Sequence, residues 1–361
     1  MSKERQILQL YAENHSQCSI ARILGVSRNT VSKAINNSDG LAEATREQIL
    51  EKAIEMGYKQ FSYVNSFLRA PAFYAGADKP EYHGEIALLT TAFLTNSHFA
   101  STMLDKFQRE ISQLGFTLNT HRVTEKDLQE LSLPFTFRRE QVQAIICIEM
   151  FNRGYDEMVC GLGLPVLFVD TPAKFDGFTL PCDQLFMDNT EAITRFVNDM
   201  LAAGYQRIGF VGNCRHCQSF YERYAAFRMA MMMANVPVDE RYCFFSNRSD
   251  DFIEAIAAMD KLPDAFICAN DFVAGDLVRG LFAIGKSVPE DVMILGFDDA
   301  PESRLSRPML STVHIHTQIM ALIAVQLLLS RIKEPSLDYR KIYTESELIY
   351  RESTKLITEA K

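Results

Sequence analysis

Arg28, Asn29, Ser32, Lys33 and Asn36 share one polar face of a short stretch, with Thr30 beside them, and none of them is a carboxylate. A guanidinium, two amides, hydroxyls and an ammonium are the groups that hydrogen-bond base edges and phosphates. Val31 and Ile35 lie four apart on the other face, as a helix with one buried side requires. Upstream, Ile20, Ile23 and Leu24 repeat at helical spacing, with Ser16 placed to cap. Gly25 ends that helix and supplies the turn, and Ser27 can cap the next by accepting an orphan backbone N–H. The pattern predicts a helix-turn-helix with Arg28–Asn36 as the recognition helix. An ordinary amphipathic helix pair needs neither the Gly turn nor an acid-free face. A further helix over Thr45–Met56 begins with Thr45 and Arg46, placed to hold a DNA phosphate at its N-terminus.

Two other constellations carry possible chemistry. Cys214, Arg215, His216 and Cys217 put two thiols and an imidazole within four residues, a spacing used by zinc and by redox pairs. Zinc needs four ligands, and no second CxxC or HxxxH is present. Most of the eight cysteines are read as small buried hydrophobes in a reducing cytoplasm, and Cys214–Cys217 as a polar loop that happens to hold two thiols. Asp298 and Asp299 are adjacent carboxylates, but neighbours at a strand end point apart. No GxSxG, HExxH or phosphate loop accompanies them, so no catalytic residue, metal or cofactor is expected.

The elements that position these residues follow from pattern changes along 361 residues, enough for two or three domains. Lys3–Asn14 reads as a leading helix. Residues 58–83 read as a connection. From Glu85 onward, apolar strand-like runs alternate with helices: EIALLTT, FTLNTHR, QAIICIE and PVLFV, then RIGFVG, RYCFF, DAFICA and VMILGF. Helices are expected over His98–Leu114, Asn189–Ala203, Tyr221–Ala234, Phe272–Ile284 and from Asp250. Two βαβ series in tandem predict an α/β fold: an all-α helix-turn-helix head plus two doubly wound parallel-sheet lobes. The net charge is -9, yet residues 1–70 hold nine lysines and arginines against seven carboxylates. A DNA-facing head on an acidic body is the simplest account. No apolar run spans a bilayer and the start lacks a signal-peptide core, so a cytoplasmic protein with no membrane partner is expected.

Several separated blocks resemble the LacI/GalR family of bacterial repressors. They are GVSRNTVSKAIN with ATREQILEKAIEMGY, DNTEAITRFVNDMLAAGYQRIGFVG, PDAFICANDFVAGDLVRGLFAIGKSVPEDVMILGFDDA, RPMLSTV and ELIYREST. The resemblance implies a head over residues 1–60, a hinge and linker over 61–83, and a two-lobed effector-binding and dimerisation domain over 84–361. It implies a periplasmic-binding-protein-like core with three crossings near residues 183–188, 312–318 and 336–344. An effector would lie in the cleft between the lobes.

Residue by residue, the resemblance implies a pocket Arg at Arg223 with Ala226 in the small position, an amide at Asn270, carboxylates at Asp298 and Asp170, and an aromatic pair at His98 and Phe99. Such a set suits a polyhydroxylated ligand. The chain departs from the family in its leading helix, which resembles transposase-like proteins, in Lys33 where an Arg is usual, and in Gly57-Tyr58-Lys59-Gln60-Phe61 where a Pro-Asn pair begins the hinge. The hinge helix would then fall within Ser62–Arg69, with Phe67 or Leu68 as its minor-groove wedge.

About ten residues follow Arg351, too few for a C-terminal tetramer helix, so a homodimer is expected. The implied function is an operator-binding repressor controlled by a small metabolite, a carbohydrate by the donor set. A co-repressor-dependent or activating regulator with a non-sugar effector is the alternative, and a sugar-active enzyme a remote one.

Overall fold

A computed structural model describes residues 17–35, 41–55, 82–92, 98–246 and 248–355. The expected leading helix, Asn36, and the hinge with Phe67 and Leu68 lie outside the described residues, as does the side chain of His98.

Three helices form the head: α1 (Gln17–Leu24), α2 (Arg28–Ile35) and α3 (Glu43–Glu55). Gly25 holds the turn at φ 67°, in the left-handed region where a side chain would be strained. Ser27 Oγ accepts from Thr30 N at 3.0 Å and caps α2. Ile20, Ala21, Val31, Ala34, Ile49 and Ala53 are buried as its core, joined by Leu322 from the body.

The first lobe is a six-stranded sheet in the order β11-β5-β4-β3-β1-β2. Its strands are β1 (Gly84–Thr90), β2 (Phe116–Arg122), β3 (Val142–Ile148), β4 (Val166–Val169), β5 (Asp183–Met187) and β11 (Lys341–Thr344). All its pairings are parallel. Strand β1 is buried at every position, as expected where helices cover both faces of a parallel sheet. Helices α4 (His98–Gln113), α5 (Glu125–Glu130) and α6 (Arg153–Cys160) serve this lobe. The second lobe orders β7 (Cys243–Phe244), β6 (Ile208–Val211), β8 (Ala265–Cys268) and β9 (Met293–Leu295) in parallel. Helices α7 (Glu191–Ala202), α8 (Gln218–Met233), α9 (Ser249–Ala257), α10 (Asp271–Ala283) and α11 (Pro301–Leu305) belong with it.

The chain returns to the first lobe through β10 (Thr312–Ile315), α12 (Thr317–Lys333) and β11, then leaves by β12 (Ser346–Ile349), which pairs antiparallel with β10. The three crossings therefore follow β5, β10 and β11, close to their expected places. Asp183, the first residue of β5, is buried and gripped by Arg331 of α12 at 3.0 Å and by Arg340 at 2.9 Å. Burial alone would raise its pKa, but hydrogen bonds from the two guanidinium groups hold it below the usual carboxylate range. Among the described residues no helix is long and apolar enough to cross a membrane.

Three helix starts differ from expectation by two residues or more, α3 beginning at Glu43 rather than Thr45. Helix α8 begins at Gln218 rather than Tyr221, because the Asp170 carboxylate, from the other lobe, accepts from Ser219 N at 3.2 Å. A cap supplied across 49 residues has no local signature. Helix α7 begins at Glu191 rather than Asn189, because Asp188 accepts from Thr190 N at 2.9 Å, and Asn189 faces inward, fully buried.

Candidate functional site

In the head, Arg28 and Asn29 are exposed, while Thr30, Ser32 and Lys33 are half-buried. Thr45 is half-buried at the start of α3. Arg46 corrects the sequence expectation. Its side chain is buried, and Nη1 donates to the carbonyls of Lys33 at 3.2 Å and Ala34 at 3.5 Å. These are late carbonyls of α2, which have no helical partner of their own. Arg46 thus holds the recognition helix rather than reaching for a phosphate. Arg46→Ala is expected to lower the head's stability by about 1–3 kcal/mol, the range for removing a charged partner of buried carbonyls. Operator titrations over a salt series check it: the salt slope should not change, whereas a lost phosphate contact would reduce it by about one.

In the body, three strand ends bring carboxylates to the seam between the lobes. Glu149 follows β3, Asp170 follows β4 and Asp298 follows β9, with φ of 57°, 63° and 113°. Left-handed backbone at non-glycine residues is strained and concentrates at ligand sites. Asp170 Oδ1 also accepts from Thr171 N at 2.8 Å, and Gln218 N donates to Thr171 O at 2.8 Å, so the start of α8 is tied to the end of β4.

Arg223, on α8, is 2% exposed. Its Nε donates to Asn189 Oδ1 at 2.9 Å and its Nη1 to the Ala269 carbonyl at 2.5 Å. Its guanidinium lies 3.5 Å from the centroid of the Phe297 ring, and Nη1 is 3.9 Å from Asp298 Oδ1. Burial pushes the Asp298 carboxyl up to about 7, against the pull of Arg223 and with a further push from Glu149 and Asp170. Burial likewise raises Asp170, opposed by its hydrogen bonds from Thr171, Cys217 and Ser219. The seam therefore sets the Arg223 cation beside the Asp298 carboxyl, which titrates near neutral pH, an arrangement suited to hydroxyl donors and acceptors.

Of the expected pocket residues, Arg223, Asp298 and Asp170 come together. Asn270 is adjacent to Ala269, but its Oδ1 is occupied as the N-cap of α10, accepting from Val273 N at 3.0 Å. Its amide N–H groups and the second lone pair of Oδ1 remain for other partners. Phe99 is half-buried and packs against the main core. The rings at the seam are others: Phe151 meets His216 edge-on at 4.9 Å, and His216 lies 5.5 Å from Phe220. Glu149, Asn189, Phe151 and Phe220 were not singled out in the sequence, since nothing local sets them apart.

His216 brings the CxHC stretch to the seam in a structural role. Cys217 is buried, its thiol donates to the Asp170 carboxylate, and burial lifts it well above the ordinary thiol range. Burial also raises Cys214. A thiol held protonated is a poor nucleophile and a poor metal ligand. Among the described residues no group of three or more His, Cys, Asp or Glu is arranged to hold a metal.

Asp299, next to Asp298, points away, as expected of a strand-end pair. Burial would raise it, but His314, Arg304 and Arg351 hydrogen-bond it and hold it well below the usual range. A shallow hollow of about 440 Å³ lies along α7, lined by Thr190, Glu191, Thr194, Arg195, Asn198 and Asp199. It is open and made by one helix, so it is no part of the seam.

The comparisons with known proteins agree with this geometry. Residues 19–60 match the bacterial regulatory proteins of the lacI family, and residues 197–354 match a periplasmic binding protein-like domain. The chain is 26% identical to the HTH-type transcriptional repressor PurR of Vibrio cholerae over 352 residues, covering 94% of this chain and 98% of that one. It is 28% identical over 354 residues to the HTH-type transcriptional regulator GalR of Lacticaseibacillus casei, covering 93% and 98%. Among solved structures it is similar to the transcriptional regulator CelR–cellobiose complex, with a TM-score of 0.65 and 22% identity over 94% of this chain and 99% of that one. It is also similar to the lac repressor dimer bound to operator and the anti-inducer ONPF, with a TM-score of 0.61 and 18% identity over 94% and 98%. A lacI-family helix-turn-helix domain, a periplasmic binding protein-like domain and relatives aligned over nearly the whole chain identify a DNA-binding transcriptional regulator similar to those of the LacI family.

Proposed function

We propose that the chain is a homodimeric repressor whose operator binding is controlled by a small polyhydroxylated molecule held between the lobes. The observation that carries the reading is the convergence of Arg223, Asp298 and Asp170, far apart in sequence, beside the rings of Phe297, Phe151 and Phe220. A fork of donors, carboxylate acceptors and apolar ring faces match the hydroxyl edges and apolar face of a sugar. The similar CelR structure is a cellobiose complex, which supports the carbohydrate class. A flat nitrogen heterocycle is the second reading, favoured by the several rings at the seam. A thermal-shift panel tests both: cellobiose and common monosaccharides on one side, purine bases on the other. A shift with heterocycles alone overturns the sugar class.

On the DNA side, residues 1–60 form the head, 61–83 the hinge and 84–361 the effector and dimerisation unit. Each head reads one half of a near-palindrome through Arg28, Asn29, Thr30, Ser32, Lys33 and Asn36, while Phe67 or Leu68 enters the minor groove. Exposure of Arg28 and Asn29 and the tight Ser27 cap support this. Arg28→Ala and Lys33→Ala are each expected to weaken operator binding by about 1–3 kcal/mol, read by fluorescence anisotropy against a scrambled duplex. Equal losses on both duplexes would make the two residues phosphate contacts instead.

A further inference from the structure

Arg223 is aimed by a chain of hydrogen bonds with a fixed polarity. Asn189 is fully buried, and its Nδ2 donates to the Met187 carbonyl at 3.0 Å and to Glu222 Oε2 at 2.8 Å. A carbonyl and a carboxylate only accept, so the amide cannot be turned over. Its Oδ1 is thereby presented to Arg223 Nε at 2.9 Å. Glu222 Oε1 accepts from the Tyr343 hydroxyl at 2.8 Å and from Gln218 Nε2 at 2.9 Å. Tyr343 is itself held by stacking on Phe186, with ring centroids 5.0 Å apart.

Asn189 lies on the first crossing, two residues past β5, and Tyr343 lies on β11, which leads into the third. Glu222 and Arg223 are consecutive on α8 of the second lobe. Both crossings are thus bonded to one carboxylate beside the guanidinium. Through these bonds a displacement of Arg223 would reach two crossings at once.

We propose that Glu222 is a positioning residue: by fixing the Asn189 amide and the Tyr343 hydroxyl it aims the Arg223 fork at the seam and ties the lobe angle to it. The proposal rests on the reading that Arg223 faces the effector. It adds how effector contact is passed to the crossings, through a contiguous bonded network with a defined sense. Glu222→Met removes both acceptors while keeping the length of the side chain, so the Asn189 amide and the Tyr343 hydroxyl each lose a partner. Glu222→Gln can keep its carbonyl on Asn189 Nδ2 while its NH2 donates to the Tyr343 oxygen, so it is the conservative control.

Hydrogen-exchange mass spectrometry on the full chain, without ligand, tests this. Glu222→Met should speed exchange in peptides spanning 187–191 at least five-fold, and Tyr343→Phe should do so over 341–346. Glu222→Gln should keep at least half of the wild-type protection over 187–191. Wild-type exchange in Glu222→Met, or a Glu222→Gln variant as labile as Glu222→Met, overturns the proposal, since the bond to Asn189 would then not be what protects this segment. Arg223→Lys, scored against cellobiose and the purine bases by thermal shift, reports separately on the effector reading. An unchanged ligand response there would remove that reading while leaving the exchange result standing.

Discussion

Arg223→Ala is expected to abolish effector control and to cost about 2–5 kcal/mol of stability. The side chain is buried, and its fork serves Asn189 and the Ala269 carbonyl while stacking on Phe297. Truncation leaves buried acceptors unpaired, at about 1–3 kcal/mol each. It also leaves Asp298 without the Arg223 cation beside it, so its carboxyl, already near 7, shifts further up. A near-complete switch needs about a 10⁴-fold difference in effector affinity between the two states. A pocket without its guanidinium falls far short of that. Denaturant unfolding separates the stability loss from the regulatory loss, and Arg223→Lys keeps a charge while removing the planar fork. In a reporter driven by the chain's own operator, a permanently repressed phenotype identifies an inducer and a permanently active one a co-repressor. Normal regulation in a folded Arg223→Ala strain would refute the site.

The second large effect is at Asp156. It is the fourth residue of α6, fully buried near Cys147, and neither carboxylate oxygen has a partner among the described residues. Burial pushes its pKa up to about 8. In the unfolded chain it returns to about 4. The folded state therefore holds a proton that the unfolded state releases over this interval. Stability is fully present below about pH 4 and is lost as pH rises toward 8, by on the order of 4 kcal/mol at neutral pH. Asp156→Asn removes the titration and keeps the shape. The variant should match the wild type at about pH 4 and below and exceed it progressively as pH rises from about 4 toward 8, in urea unfolding at several pH values. A difference that does not change with pH would show that Asp156 is not the titrating group.

The pattern of residues 17–35 determined the head by itself. A helix-turn-helix is local: the Gly25 turn, the Ser27 cap and the 20/24 and 31 spacings act within a turn or two of each other. The parallel strands were legible for the same kind of reason, since a strand buried on both faces must be written as a continuous apolar run. The blocks that resemble the LacI/GalR family supplied Arg223, Asp298 and Asp170 as a set, which spacing alone does not give.

Tertiary structure decided what those residues do. Arg46 at the start of α3 has the sequence signature of a phosphate contact, yet folding turns it back onto the carbonyls of α2. Asn270 resembles a pocket amide in sequence, and in the fold its oxygen also caps α10 by accepting from Val273 N. The start of α8 depends on a carboxylate from the other lobe, and the aim of Arg223 depends on Asn189 and Glu222, which meet only after β5 has crossed. Short-range hydrogen bonds and hydrophobic period are written along the chain, so sequence reports them. The direction in which a buried polar group is satisfied depends on partners brought close by the whole fold, and only the folded chain specifies it.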